Sequence, residues 1–549
     1  MSVPKAPNLA TASGRTTLLM GLGVATKLVV DVLIITAFGL TSATDAFFVA
    51  YTLLILIESL VYPASQSGLV PIFVGLIRTQ GTEAVGPHSR VWTAFNSLLT
   101  LAVIVGAGLT TSAVLGNATL SRLLAPGLDA ETGALAARLS GIMFVSLVFV
   151  LPIGVMRAFL NAHNLFTAPA SHELLRGTTV IAVIAGFGVI TPALRIEHLA
   201  LGYAIAALVQ ATVFGAVIWR HLGPHYRPAI DLALLRAVGV RRMLTLPLLE
   251  QGIAQSVLVA ERVIGSFLPP GSISALSYGH RLASVIGNSL FTGIEVVSLS
   301  TLATSLATRT AAGLRQARAT LLAAMRLVIL VGVPIAAMIW AVQLPVTHLL
   351  FEREGGASGS EAARILGIYA LTIPLYGYLL VARSYWYADG RPLLPILIAS
   401  AQLVAMVSVA PFLATALGAP GVAWAYAIGQ LVACGVAAAT LRGIGGPGQN
   451  RNVAWLGLRV TGAALVTASL MAAVVSQPPV LARWTGAASF PAHLAMLVLA
   501  GILGLITLLG IGTALQIEEL RSARSAVLAR LRKGRGIVRH RNQELEQEA

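Results

Sequence analysis

A stripe of polar residues runs through the long apolar stretch from Ile273 to Ser305. Its members recur at steps of three or four, which is the spacing of one face of an α-helix. From Ser274 to Ser298 such a helix would be about 36 Å long at about 1.5 Å per residue, enough to cross the hydrocarbon core of a bilayer. The stripe consists of Ser274, Ser277, Arg281, Ser284, Asn288, Thr292, Glu295 and Ser298.

The two charges in this stripe, Arg281 and Glu295, limit what it can face. A charged side chain at the bilayer midplane costs at least about 2.5 kcal/mol, so we expect the stripe to face away from lipid. Two interpretations fit the pattern. The stripe lines a polar path, or its small polar residues pack against another helix.

The composition predicts a polytopic membrane protein and no enzyme. Of 549 residues, 56% are apolar and 11% are charged, whereas a soluble domain is about one quarter charged. No nucleotide-binding loop, zinc-protease motif or nucleophile elbow is present, so we predict no catalytic residues, no metal and no cofactor. The lone Cys434 excludes an internal disulfide and a Cys metal cluster, and we interpret it as a small packing residue.

Hydropathy predicts an all-α protein with fourteen transmembrane helices. The spans are predicted at 15–39, 44–77, 91–116, 134–159, 167–190, 197–219, 244–268, 272–308, 318–350, 362–388, 392–414, 419–441, 455–476 and 489–515.

Lys and Arg are concentrated in alternate connections between these spans, which the positive-inside rule places in the cytoplasm. We therefore expect a multi-pass protein of the bacterial cytoplasmic membrane with both termini cytoplasmic. The net charge of +16 is explained by topology and headgroup contacts, so no nucleic-acid partner is predicted. Residues 516–549 form a basic tail with one apolar helical face, which should bind anionic membrane lipids.

An internal repeat relates two halves of the chain. Residues 136–142 (AARLSGI) match residues 362–368 (AARILGI), and the same offset of 226 places Arg157 on Arg383. An offset of six helices indicates a parallel repeat of two six-helix lobes, followed by two extra helices. The predicted parts are a cytoplasmic segment 1–14, an N-lobe 15–220, a basic linker 221–243, a C-lobe 244–442, a linker 443–454, an extra helix pair 455–515 and the tail 516–549.

Two pairs of charged residues lie inside predicted spans 1 and 7. Lys27 and Asp31 are four residues apart on one helix face, so they either neutralise each other or bind an anion and a cation separately. Glu261 and Arg262 are adjacent and should point about 100° apart. We therefore expect that they do not simply neutralise each other, that one of them faces a cavity, and that Arg262 or Glu261 pairs with span 8 or span 1.

Charges near the span ends suggest structural roles. Asp45, with Thr44 or Ser42 as competitors, is predicted to cap the start of the second span. Glu173 and Arg176, three apart, are predicted to pair. Arg157 and Arg383 near cytoplasmic ends are predicted to reach the lipid headgroups.

Short passages across the first twelve spans carry a family pattern: Ala43–Tyr51, Leu124–Gly127, Leu160–Ala162 before Phe166, Ser266–Leu268, and Gly271–Ser274 leading to Tyr278 and Arg281. On these passages the chain resembles the MviN/MurJ family, the lipid II flippases of the multidrug/oligosaccharidyl-lipid/polysaccharide exporter superfamily. The resemblance implies two lobes around a V-shaped cavity, cations that hold the lipid pyrophosphate, and a groove for the polyprenyl tail at helices 13 and 14.

The resemblance extends to some of the family's charged positions and fails at others. Arg281 matches the cavity arginine of the eighth span, and Asp31 matches an acidic position of the first. Val24 and Val30 stand near the family's first-span arginines. Ile57-Glu58-Ser59 replaces its Arg-rich turn on the second span, and His280 replaces an acidic residue.

These features together predict a flippase for a polyprenyl-(pyro)phosphate-linked saccharide, which is lipid II or a related cell-envelope glycan precursor, working by alternating access. A small-molecule or drug cation antiporter of the same superfamily and a non-transporting scaffold with cell-wall assembly proteins as partners are the alternatives. A coupling ion would be Na⁺ or H⁺, or the membrane potential would act directly. The predicted substrate-binding residues are Arg281, Lys27, Arg262, Ser284, Asn288 and Thr292; the predicted ion-coupling residues are Asp31, Glu58, Glu261 and Glu295.

Overall fold

In the computed structural model of the chain, all regular secondary structure among the described residues is helical, and no strand occurs among them. The described residues are 9–80, 89–190, 194–307, 310–344, 346–347, 357–442, 447–475, 499, 501–504 and 506–507. The first helices are α1 (Leu9–Phe38), α2 (Ser42–Gln80), α3 (Arg90–Leu115), α4 (Asn117–Leu124), α5 (Ala130–Phe144), α6 (Leu147–Ala162), α7 (Thr167–Ala170), α8 (His172–Ile190), α9 (Ile196–Leu222) and α10 (Leu232–Ala237). They are followed by α11 (Val240–Gly265), α12 (Ser272–Ala307), α13 (Ala311–Ala341), α14 (Ala357–Ala388), α15 (Leu393–Leu417), α16 (Ala419–Leu441) and α17 (Pro447–Val475).

The predicted fold class, an all-α membrane protein, is confirmed. Within the described residues, 12 helices are long and apolar enough to cross a membrane, or 13 when α5 and α6 are counted as one span. The fourteenth predicted span, 489–515, lies largely outside those residues. The tail 516–549 and residues 1–8 lie wholly outside them.

Most helix ends differ from the sequence prediction by a few residues, and two differences change the division of the chain. The predicted span 134–159 is two helices, α5 and α6, that meet at 41°. Pro152 lies inside α6 rather than at the break, so no proline marks this bend in the sequence. Helix α17 begins at Pro447 and therefore includes most of the predicted linker 443–454. Residues 443–446 of that linker are not among the described residues.

The chain divides into two compact units. Unit 1 comprises residues 1–278, 353–361 and 395–429, and unit 2 comprises residues 279–352, 362–394 and 430–549. These two units are defined by how the helices pack. They do not test the predicted division into lobes 15–220 and 244–442, which stays a prediction.

Unit 1 is held together by close packing on α2. Helix α2 packs against α5, α6 and α11. Small residues make this approach possible: a Cβ at Gly154 of α6 would lie 2.9 Å from the Ser65 hydroxyl, and one at Gly68 would lie 2.7 Å from Leu244 of α11. An aromatic cluster of Phe73, Phe95 and Phe159 fills the space between α2, α3 and α6.

Unit 2 is centred on Phe291 of α12, which is fully buried. Its ring fits where α13 and α14 carry glycine, since a Cβ at Gly332 or Gly377 would lie 2.9 Å or 2.8 Å from it. Helix α17 packs along α13, where Met471 and Ala468 meet Ala341 in a small apolar core.

Candidate functional site

The polar stripe of α12 contacts α14 within unit 2. The Tyr376 hydroxyl donates a hydrogen bond to Asn288 Oδ1 at 2.5 Å, and Arg383 Nη2 donates to Glu295 Oε1 at 2.9 Å. The partners are seven residues apart on both helices. The two helices therefore run in the same direction, with the stripe of α12 in register with α14.

A third contact in nearly the same register lies about two turns earlier. The His280 ring stacks on Tyr369 at a centroid distance of 5.2 Å. Glycines on α12 allow this proximity, because a Cβ at Gly279 would lie 3.1 Å from the Tyr369 ring and one at Gly287 would lie 3.3 Å from the ring of Tyr376. The stripe is thus partly a helix-packing surface, as one of the two interpretations predicted.

The middle of the stripe remains accessible. Arg281 and Ser284 are half-buried, and Asn288 and Thr292 are exposed. The Thr292 hydroxyl donates to the main-chain oxygen of Asn288 at 2.7 Å. The Glu295 side chain is 25% exposed, so α14 does not cover this segment of the stripe completely.

Asp45 caps a different helix from the one predicted. Its carboxylate accepts the Gly271 N–H at 2.6 Å and the Ser274 N–H at 2.7 Å, so it caps the N-terminus of α12. At the start of α2, the Thr41 hydroxyl accepts the Thr44 N–H at 3.4 Å. The prediction for Asp45 is wrong because the partner lies 226 residues away, beyond the reach of a local capping pattern.

Glu261 and Arg262 do pair, contrary to the prediction. Arg262 Nη1 lies 3.4 Å from Glu261 Oε1 and donates to the Ile273 carbonyl at 3.3 Å. The long arginine side chain spans the angle between adjacent positions on the helix. Both side chains are enclosed, with Glu261 fully buried and Arg262 4% exposed, while the Arg262 guanidinium also lies 5.9 Å from the centre of the Phe48 ring. Arg262 therefore pairs within α11 and holds the first turn of α12 through the Ile273 carbonyl.

Unit 1 contains a buried charge network centred on Arg176. Arg176 Nη2 donates to Glu58 Oε2 at 2.7 Å, and Nη1 lies 3.9 Å from Glu173 Oε1. The predicted pairing of Glu173 with Arg176 is confirmed, but Glu58 is the nearer partner. His172 Nδ1 lies 3.7 Å from Glu173 Oε1, and the Gln210 amide of α9 donates a hydrogen bond to the main-chain oxygen of His172.

The first helix adds the remaining predicted charges of unit 1. Lys27 is half-buried and Asp31 is buried. Lys27 interacts electrostatically with Glu173 of α8. Close approach of the helices brings them together, since a Cβ at Gly23, one turn before Lys27, would lie 2.9 Å from Glu173 Cβ.

Arg157 and Arg383 are half-buried and contact other helices of the protein; that they reach the lipid headgroups stays a prediction. The Arg157 guanidinium lies 4.6 Å from the centre of the Tyr62 ring on α2. Arg383 pairs with Glu295 on α12. Each arginine thus contacts the second helix of its own predicted lobe, where a polar partner makes burial cheaper than it is in lipid.

The partners Tyr62, His172, Tyr376 and Arg383 were missed as site residues by the sequence analysis. One signal could have identified Arg383: it is the position that the repeat places on Arg157. Among the described residues, no group of three or more His, Cys, Asp or Glu side chains is placed to hold a metal ion.

Comparison with known proteins gives a consistent family. A family model described as lipid II flippase MurJ matches residues 34–495. Lipid II flippase MurJ of Burkholderia cenocepacia is 29% identical over 289 residues, which are 50% of this chain and 52% of that protein, so the match spans about half of this relative. The probable lipid II flippase MurJ of Bdellovibrio bacteriovorus is 27% identical over 393 residues, which cover 69% of this chain and 72% of the relative.

Solved structures with the same fold include a lipid II flippase MurJ in an inward closed conformation. It has a TM-score of 0.72 and 17% identity, covering 92% of this chain and 99% of that one. An inward-facing multidrug resistance MATE family transporter of the MOP superfamily has a TM-score of 0.64 and 14% identity, covering 80% of this chain and 94% of that one. At these identities the likeness concerns the fold alone.

Proposed function

Because this chain belongs to the MurJ family, we propose that it carries a polyprenyl-(pyro)phosphate-linked saccharide from the inner to the outer leaflet of a bacterial cytoplasmic membrane. The substrate is lipid II or a related cell-envelope glycan precursor, and the mechanism is alternating access. The observation that carries this proposal is the family match over residues 34–495. Both relatives described above are named as lipid II flippases or probable ones.

The chemistry of the stripe on α12 supports this function. A sugar-phosphate headgroup must exchange water for protein contacts while it crosses an apolar layer. Arg281 is half-buried, and a guanidinium can contact phosphate oxygens with two parallel hydrogen bonds. Ser284, Asn288 and Thr292 lie within the next three turns on the same face and supply donors and acceptors for sugar hydroxyls.

The other predicted cations have different surroundings. Lys27 is half-buried beside Glu173, and we retain it as a phosphate-binding residue of unit 1. Arg262 is engaged by Glu261 and the Ile273 carbonyl, so we assign it to positioning the start of α12 rather than to the substrate.

Among the acidic candidates, Glu295 is the best placed for ion coupling. Its side chain is 25% exposed and that of its partner Arg383 is 32% exposed, so a proton or Na⁺ can reach the pair and compete with the guanidinium. Glu58, Glu261 and Asp31 are each less than 7% exposed. A coupling role for any of these three requires water to enter the interior.

A non-transporting scaffold is the second candidate, and one observation favours it. Glu58, Glu261 and Glu295 are each paired with an arginine. Such pairing is expected of a protein whose interior charges neutralise one another and bind no ligand. An antiporter of the MATE type is supported by the shared fold alone.

In a strain depleted of the protein, the experiment expresses either the Arg281→Ala variant or a matched control variant, Arg315→Ala. Arg315 is exposed on α13. The flippase proposal predicts that the control restores growth, while Arg281→Ala lets the lipid-linked saccharide accumulate in the inner leaflet at normal membrane abundance. Full restoration by Arg281→Ala would contradict the assignment and favour the scaffold.

A further inference from the structure

Asn288, on the polar stripe of α12, is held by its side-chain oxygen alone. The Tyr376 hydroxyl donates a hydrogen bond to Asn288 Oδ1 at 2.5 Å, which is short for a bond between two oxygens. Neither side chain has another hydrogen-bond partner among the described residues. Because Asn288 is exposed, its amide nitrogen Nδ2 keeps both N–H donors for an acceptor outside the protein.

The Tyr376 hydroxyl selects one orientation of this amide among several. An asparagine on a helix has two common χ1 wells, and its last torsion exchanges the oxygen and the nitrogen between two broad minima. An unheld Asn288 would therefore divide among about four states. If the nitrogen faced Tyr376, the phenolic hydrogen would lose its acceptor, so the hydrogen bond favours the observed state about fivefold.

The position of the Tyr376 ring is set by the backbones on both sides of the contact. Gly287 directly precedes Asn288, and a Cβ at Gly287 would lie 3.3 Å from the Tyr376 ring. Gly377 directly follows Tyr376, and a Cβ at Gly377 would lie 2.8 Å from Phe291. Close helix packing thus places the hydroxyl where it can hold the amide.

The next hydroxyl of the stripe has the opposite polarity. Thr292 donates its hydrogen to the Asn288 main-chain oxygen at 2.7 Å, so its own oxygen has only lone pairs to offer. The exposed part of the stripe therefore presents N–H donors at Asn288 and an acceptor at Thr292, about 6 Å apart along the helix. This pattern fits a sugar ring that carries an acceptor without a hydrogen and a hydroxyl group.

The position of Asn288 along α12 indicates which part of a headgroup it meets. Arg281, the proposed phosphate contact, lies seven residues earlier, which is about 10 Å along the helix. The acceptor opposite Asn288 therefore belongs to the saccharide rather than to the phosphate. Among saccharide substituents, an acylamino group offers a strong acceptor without a hydrogen, its carbonyl oxygen.

We propose that Tyr376 is a positioning residue that turns the Asn288 amide, so that Nδ2 donates to an acylamino carbonyl of the saccharide headgroup. Tyr376 acts through Asn288 and does not itself touch the substrate. The inference rests on the proposed function and deepens it, since it makes one asparagine of the stripe a determinant of which saccharides are carried.

The test measures initial rates of translocation in proteoliposomes at increasing mole fractions of a polyprenyl-pyrophosphate-linked disaccharide. The lipid is made once with acylamino groups and once with hydroxyl groups in their place. For the unmodified protein, we expect the acylamino lipid to half-saturate transport at about one fifth of the mole fraction that the hydroxyl lipid requires. Limiting rates should agree within about twofold, because the contact concerns binding.

The variants separate positioning from contact. Tyr376→Phe should reduce the preference to about twofold, because an unheld amide is in the donating state only about a quarter of the time. Asn288→Ala should abolish the preference, and Tyr376→Phe/Asn288→Ala should behave like Asn288→Ala alone.

Asn288→Asp distinguishes this role from a purely structural one. The carboxylate still accepts the Tyr376 O–H but replaces the donating Nδ2 by an acceptor, so the preference for the acylamino lipid should be lost at equal reconstituted amounts. The matched control is Tyr378→Phe, since Tyr378 lies on α14 as well but lines a space bordered by α13, α16 and α17. It should keep the preference of about fivefold.

Two kinds of failure can be told apart. If the unmodified protein carries both lipids equally well, or if Tyr376→Phe or Asn288→Asp keeps the full preference, this inference is overturned and the proposed function stands. Equal losses in Tyr376→Phe and Tyr378→Phe would overturn it as well. No translocation of either lipid by the unmodified protein would overturn the proposed function and this inference together.

Discussion

Removing either partner of the Glu58–Arg176 pair should destabilise the protein far more than removing a partner of a surface pair. The two side chains are 7% and 10% exposed and their nearest atoms are 2.7 Å apart. Opposite charges about 4 Å apart attract by about 4 kcal/mol at an effective dielectric constant of about 20. Breaking a buried pair typically costs about 3–5 kcal/mol, because the remaining charge is left without its partner.

The charge network predicts which of the two single variants loses more stability within this range. Glu58→Gln leaves Arg176 with Glu173 at 3.9 Å, so we expect a loss near the lower limit, about 3 kcal/mol. Arg176→Gln leaves two carboxylates without their common cation, so we expect a loss near the upper limit, about 5 kcal/mol. The double variant should lose about 1–3 kcal/mol less than the sum of the two, because the two side chains contact each other.

The assay is reversible unfolding of the full-length protein in mixed micelles, monitored by tryptophan fluorescence. The control is Asp389→Asn, which breaks a pair of similar geometry at 3.0 Å whose side chains are 27% and 65% exposed. Because water screens that pair, its loss should cost less than about 1 kcal/mol. The reasoning is refuted if Asp389→Asn and Glu58→Gln cost the same, or if Glu58→Gln is the more damaging of the two network variants.

Four further substitutions are predicted to act through packing and hydrogen bonds. Asp45→Ala leaves two N–H groups of α12 without an acceptor and should cost about 2 kcal/mol, measured as a lower melting temperature in detergent; an unchanged value would contradict the cap. Gly377→Ala places a methyl group 2.8 Å from two side chains and should cost about 1–3 kcal/mol. Gly462→Ala meets no atom within 4 Å and should be neutral or stabilising; equal effects of the two glycine changes would contradict the packing. Tyr376→Phe removes the donor to Asn288 and should cost about 1 kcal/mol, and a loss above about 3 kcal/mol would show that the ring rather than the hydroxyl was disturbed.

The membrane helices could be predicted from the sequence because hydropathy and length are local properties. Span 12, predicted at 419–441, coincides with α16 (Ala419–Leu441), and span 8, predicted at 272–308, nearly coincides with α12 (Ser272–Ala307). The bend between α5 and α6 was not predicted, since no glycine or proline occupies its two linking residues, Val145 and Ser146.

The stripe on α12 was visible in the sequence, but its partners were not. Periodicity identifies Asn288 and Glu295 as members of one face. It cannot identify Tyr376 or Arg383, because these depend on which helix packs there and in what register. The prediction for Glu261 failed for a different reason. Adjacent positions on a helix point about 100° apart, but the long and flexible arginine side chain of Arg262 still reaches the Glu261 carboxylate.

Transport by the purified protein in proteoliposomes tests the central claim most directly. The vesicles contain a fluorescent polyprenyl-pyrophosphate-linked disaccharide, and an impermeant quencher or enzyme reports how much of it reaches the outer leaflet. The account predicts protein-dependent translocation that Arg281→Ala abolishes and Arg315→Ala preserves. No translocation above protein-free vesicles, or equal translocation by Arg281→Ala, would contradict it.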